Sequence, residues 1–167
     1  MPHLRAYGDW VVLIKRLLIR IAYRILMVKW WLTRPVTMSV RIMLVNKGQV
    51  LMLRHTYMPY WFFPGGLIDR GETAVEAAKR EAFEEVGATC HSEPRLLGVF
   101  TNYYEFQSDH IILFVCEDFS LVPSPDKWEV EEISEFPLIE LPVDVLPGTE
   151  RRVAAYLSGE ALSSGVW

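Results

Sequence analysis

Gly66-Leu67-Ile68-Asp69-Arg70-Gly71-Glu72-Thr73-Ala74-Val75-Glu76-Ala77-Ala78-Lys79-Arg80-Glu81-Ala82-Phe83-Glu84-Glu85-Val86-Gly87-Ala88 is the stretch from which the rest of the chain is read. Thr73 with Glu76 three residues on forms a capping box, and Gly87 is a stop signal, so the spacing predicts a helix from Thr73 to Val86. Val75, Ala78, Ala82 and Val86 fall within an arc of about 80° at helical spacing and form its buried stripe. The small alanines allow close approach to a sheet. Glu81, Glu84 and Glu85 share a separate arc of about 100°, and Arg80 reaches one turn either way. Glu72 sits at the helix entry. Like charges at this spacing repel by a few tenths of a kcal/mol, so stability does not explain the cluster. A hard divalent cation does, because Mg²⁺ takes oxygen ligands and shares phosphate oxygens with a substrate. Gly65-Gly66, just ahead, can offer a carbonyl to the metal and lets a phosphate approach closely.

Outward from this helix, strands dominate. Met38–Val45 and Gln49–Arg54 are apolar runs around Asn46-Lys47-Gly48, which reads as a hairpin turn. The aromatic run Tyr60–Phe63 ends at Pro64-Gly65-Gly66. Leu96–Phe106, His110–Cys116 and Ile133–Phe136 read as further strands, Ser120–Lys127 as a loop, and a last helix opens at Gly148-Thr149. The expectation is an α/β domain with a mixed sheet flanked by helices.

The chain reads Gly66, five residues, Glu72, seven residues, then Arg80-Glu81-Ala82-Phe83-Glu84-Glu85-Val86-Gly87-Ala88. This is similar to the Nudix box at every fixed position, with alanine at both small-apolar positions, Ala82 and Ala88. Seven fixed residues at ordinary abundance would coincide by chance on the order of 10⁻⁸ per register or less. The chain thus resembles the Nudix hydrolase superfamily over roughly Val36–Leu157. The resemblance implies an α/β/α sandwich and Mg²⁺- or Mn²⁺-dependent hydrolysis of a diphosphate bond in a nucleoside diphosphate linked to another moiety. By position, Glu81, Glu85 and the Gly66 carbonyl look like metal ligands, and Glu84 a further ligand or the proton acceptor. Arg80 would orient the glutamates, with Glu72 bracing the loop and Gly87 ending the helix. A non-catalytic module of the same fold, sensing a nucleotide or binding a partner, is the alternative. Relatives often add a carboxylate from outside the box; Asp126, Glu129, Glu131 and Glu132 are candidates, with Glu129 and Glu132 preferred. Arg54 and His55 at a strand end could meet a phosphate, and Tyr57, Tyr60 and Trp61 could stack on a base.

The start of the chain has a different character. Residues 1–41 carry a net charge of +7 and the remaining 126 carry −11, within an overall −4. Val11–Leu32 is mostly apolar, holds five cations and lacks Gly and Pro, so a basic amphipathic helix is expected. Arg20 and Arg24 would sit near a bilayer centre, which disfavours a transmembrane span. No uncharged run is long enough for a secretory signal. The remaining readings are an interfacial helix on a membrane, a dimer interface through residues 10–32, or packing on the chain's own domain. Residues 1–35 therefore read as an arm, 36–160 as the Nudix-like domain and 161–167 as a tail. Two cysteines cannot form a disulfide framework, which fits a reducing, cytoplasmic compartment, with the arm peripheral to a membrane. The acidic balance argues against a nucleic-acid partner. A small nucleotide-type substrate is expected.

Overall fold

A computed structural model describes residues 3–103, 106–125, 128–160 and 162–167, with side chains described at 10 and from 13 onward within these ranges. Asp126 lies outside the described residues. The elements run α1 (His3–Thr33), β1 (Val36–Asn46), β2 (Gln49–His55), β3 (Met58–Phe62), α2 (Ala74–Val86), β4 (Ala88–Cys90), β5 (Arg95–Asn102), β6 (Ser108–Cys116), β7 (Phe119–Leu121), β8 (Val130–Pro137), α3 (Pro147–Leu157) and β9 (Ser163–Val166).

β1 and β2 form the expected hairpin, with Asn46 opposite Gln49 and Lys47 and Gly48 at positive φ in the turn. The central pairing is non-local: β1 runs parallel to β6, from Val36 against Ser108 to Leu44 against Cys116. The main sheet orders β3-β2-β1-β6-β5-β9, and β8 pairs antiparallel with β2. Both faces of this mixed sheet are covered. Along β1, Val40, Ile42 and Leu44 turn toward α2 and pack with Ala77, Ala78, Ala82 and Val86. Met43 and Val45 turn the other way, into a second core with Phe63, Phe100 and Val153 of α3. Period-2 alternation along a strand buried on both faces produces the α/β/α sandwich.

Three departures from the sequence reading have physical causes. Helix α1 begins at His3 rather than near Val11, because Gly8 and Asp9 interrupt the apolar pattern without ending the helix. The start of the segment read as the Ser120–Lys127 loop belongs to β7, which pairs with β4. The segment read as a tail, residues 161–167, contributes β9, parallel to β5. Ser163-Ser164-Gly165-Val166 has little strand propensity, and its pairing is decided by the free edge of β5. Trp167 then sets its ring edge-on toward Phe63 and Phe100. No helix among the described residues is long and apolar enough to cross a membrane.

Candidate active site

The glycine-rich loop is stitched to β1. Ile42 donates its N–H to the Pro64 carbonyl, and Val40 donates to Gly66, both at 2.9 Å. A Cβ on Gly66 would lie 2.4 Å from a Glu81 carboxylate oxygen, so only glycine lets that carboxylate rest against the loop backbone. Helix α2 starts as its sequence requires: the Thr73 hydroxyl accepts from the Glu76 N–H, and the Glu76 carboxylate accepts from the Thr73 N–H at 2.8 Å. It ends at Gly87 in the left-handed region (φ 70°), whose N–H returns to Phe83.

Between these fixed ends Arg80 is the hub. Its Nε and Nη2 donate to the two oxygens of Glu72 at 2.8 and 3.0 Å. Nη1 donates to Glu81 at 2.7 Å and to Glu84 at 3.2 Å, and Nη2 also reaches the Leu67 carbonyl at 3.2 Å. The fork geometry of a guanidinium is needed for this many planar contacts. The bond from Arg80 holds the Glu72 carboxyl below its usual range. Burial, and then the charge of Glu85, push the Glu81 carboxyl up.

Glu85 is the most enclosed of the box glutamates, at 7% exposure. Its Oε2 accepts from the Gly65 N–H at 2.7 Å and its Oε1 lies 2.9 Å from His55 Nε2. From the sequence, His55 beside Arg54 at a strand end could meet a phosphate or be a plain surface residue. The structure instead buries it, with its ring edge against Phe62 and its Nδ1 4.0 Å from Glu129. Tyr57 donates its hydroxyl to Glu129, and burial raises the Tyr57 pKa. Glu129 is thereby brought toward the box. Glu132 is not: it pairs with Arg54 at 2.7 Å, and Arg54 also meets Asp144 at 3.1 Å. Trp61 is buried, with the Arg54 guanidinium 4.7 Å from its ring and Phe136 edge-on at 4.8 Å. Tyr60 is exposed and lines a cleft.

Sequence reasoning passed over Arg41, whose Nη1 donates to the Gly65 carbonyl at 2.5 Å and so holds the loop from the strand side. A cation inside an otherwise apolar strand, facing a Gly-Gly loop, was the available signal.

The cleft, of about 1190 Å³, opens between α1 and the ends of β2 and β3. Arg20, Tyr23, Arg34, His55, Tyr57 and Tyr60 are among its walls, and it meets the acidic cluster at His55. Tyr23 stacks on Tyr57 at 4.4 Å, and Arg20 Nε donates to the Thr56 carbonyl at 2.9 Å.

Among the described residues, no three metal-ligating side chains already converge at coordinating geometry. The donor set nonetheless suits a hard cation. Glu81, Glu85 and the Gly66 carbonyl are all oxygen donors, and the like charge of Glu85 is already felt at Glu81.

A mixed sheet between two helices, with a glycine loop leading into an acid-faced helix keyed by one arginine, defines the class. The chain belongs to the Nudix hydrolase superfamily: the NUDIX domain profile matches residues 34–157. It is 36% identical over 73 residues to a putative 8-oxo-dGTP diphosphatase of Bacillus subtilis, covering 44% of this chain and 48% of that protein. It is 40% identical over 70 residues to an RNA pyrophosphohydrolase of Erwinia tasmaniensis, covering 41% and 39%. The match thus spans less than half the length of these curated relatives. Among solved structures, a MutT NUDIX hydrolase from Burkholderia pseudomallei superposes with a TM-score of 0.65 at 22% identity, over 71% of this chain and 96% of that one. A MutT protein from Bacillus halodurans gives 0.66 at 23%, over 77% and 86%. At these identities the likeness is one of fold.

Proposed function

We propose that the chain is a divalent-metal-dependent pyrophosphohydrolase that cleaves a diphosphate bond in a nucleoside diphosphate linked to another moiety. The observation that carries this reading is the division of labour within the box. Arg80 gathers Glu72, Glu81 and Glu84, while Glu85 is held separately by Gly65 and His55. A solvated acidic face would have no reason to bury Glu85 or to key it to a glycine loop. The names of the two curated relatives both describe hydrolysis of a diphosphate linkage.

Glu81, Glu85 and the Gly66 carbonyl would hold the cation, Mg²⁺ or Mn²⁺. Bound there, the cation supplies Lewis-acid polarisation of the phosphate and eases deprotonation of an attacking water. The protein's own groups do the rest. Glu85, fixed by the Gly65 N–H and His55, is placed as a ligand. Glu84, the most exposed of the box acids, is the proton acceptor. Arg80 keeps Glu81 and Glu84 turned to one side. The missing side chain at Gly66 leaves room for a phosphate. The tyrosines of the cleft, with Arg20 and Arg34, are suited to a base and an anionic group of a nucleotide.

The test is turnover of a nucleotide panel with Mg²⁺ or Mn²⁺, comparing ADP-ribose, dinucleoside polyphosphates, nucleotide sugars and canonical and oxidised nucleoside triphosphates. Products are identified by mass spectrometry. Cleavage abolished by EDTA and reduced at least about 100-fold in Glu85→Gln is expected. Metal binding without turnover across the panel would favour the non-catalytic module instead.

A further inference from the structure

Helix α1 has two unlike faces. The half-buried face holds Arg16, Ile19 and Tyr23. It meets the domain through Arg16 and Glu131 at 3.5 Å, Lys15 over the Trp128 ring at 3.8 Å, Arg20 on Thr56 and Tyr23 on Tyr57. The opposite face is unpartnered among the described residues. Ten large apolar side chains between Trp10 and Leu32 are each at least 47% exposed, Leu17, Ile21, Ile25 and Val28 among them. At helical spacing they fill a single arc of about 140°, and the stripe runs about 33 Å. A monomer in water rarely leaves so continuous a patch uncovered.

Charge decides what covers it. Residues 10–41 contain no Asp or Glu. Arg20 edges the stripe on one side and Lys29 on the other, and Arg24 stands within it, all three exposed. Two copies packed stripe to stripe would set these cations against each other, with no acid between residues 10 and 41 to separate them. An anionic lipid surface supplies the missing counter-charge and receives apolar side chains at the same depth. Trp10 and Trp31, exposed near the two ends of the stripe, suit the headgroup boundary. The acidic domain lies on the other side of the helix.

We propose that the Trp10–Leu32 face of α1 docks the protein on an anionic phospholipid bilayer, lying in the interface without crossing it. The helix would then carry two loads: its outer face on lipid and its inner face on the wall of the cleft.

The test is flotation of the full chain with vesicles of pure phosphatidylcholine or with about 30 mol% phosphatidylglycerol added. Flotation with the anionic vesicles and weaker flotation with the neutral ones are expected. Leu17→Glu/Ile21→Glu/Val28→Glu should weaken vesicle affinity on the order of 100-fold, while circular dichroism and thermal melting report an intact domain. Arg24→Glu/Lys29→Glu keeps the apolar stripe and should lose the preference for anionic vesicles. No flotation with anionic vesicles, or equal flotation of the triple variant, would overturn the proposal. So would a dimer by light scattering that dissociates on the same triple substitution without any vesicle binding, which would assign the stripe to a second copy.

Discussion

Arg80→Ala should unfold the logic of the box while leaving the helix that carries it. The guanidinium makes four bonds to carboxylate oxygens and one to a carbonyl. Alanine is a good helix former, so α2 itself gains slightly. What is lost are charged hydrogen bonds, worth about 1.5–3 kcal/mol each when sheltered. Arg80 and Glu84 are 28% and 54% exposed, so the Glu84 bond is screened and contributes little. Glu72 and Glu81, at 16% and 14%, are sheltered enough to count. The net cost is therefore about 2–3 kcal/mol, or roughly 4–12 °C in melting temperature for a chain of this size. The substitution also leaves Glu72, Glu81 and Glu84 without their shared cation, so millimolar Mg²⁺ should restore part of the loss. The assay is differential scanning fluorimetry of both proteins in EDTA and in Mg²⁺. A shift below about 1 °C in EDTA would refute the claim that Arg80 organises these acids.

Other perturbations read different parts of the structure. Gly87→Ala would place a Cβ 2.0 Å from the Val122 carbonyl oxygen at a positive φ, so urea unfolding should show a loss of at least about 2 kcal/mol. Phe63→Ala empties a fully buried site in the core beneath α3, and the same measurement should show about 3–5 kcal/mol. The pH dependence turns on Glu81. Its folded pKa is raised, chiefly by burial, so its contribution to stability is greatest below the unfolded value and declines as pH rises through the folded one. In EDTA, the melting temperature of Glu81→Gln relative to the parent should therefore climb between about pH 4 and 7. A difference that falls over that range would reverse the assigned sign.

Local chemistry made much of this legible from the residues. The capping box at Thr73 and the stop at Gly87 bound α2 closely, and Asn46-Lys47-Gly48 marked the hairpin. The spacing of Glu72, Arg80, Glu81, Glu84 and Glu85 identified the residues that Arg80 and the glycine loop bring together, because contacts within one helix and its leading loop follow from spacing alone. Contacts across the sheet do not. His55 reaches Glu85 because β2 ends beside the loop, and nothing near residue 55 announces a partner thirty positions on. For Trp61, an aromatic ahead of a glycine loop fits either a stacking role or the core, and strand alternation turns it into the second core. The strand β9 was invisible because its four residues are chosen by an edge rather than by their own propensity.

The parallel pairing of β1 with β6 has a kinetic side. The centre of the sheet joins residues 36–44 to residues 108–116, β2 waits for β8, and β5 is flanked by β9. Each of these three ladders closes a long loop before it is rewarded, which slows folding. During synthesis β1, β2 and β3 emerge in succession and pair with one another well before β6 and β8 exist. Throughout that interval the β1 edge lacks its partner β6, and the face that α3 later covers lies open to aggregation.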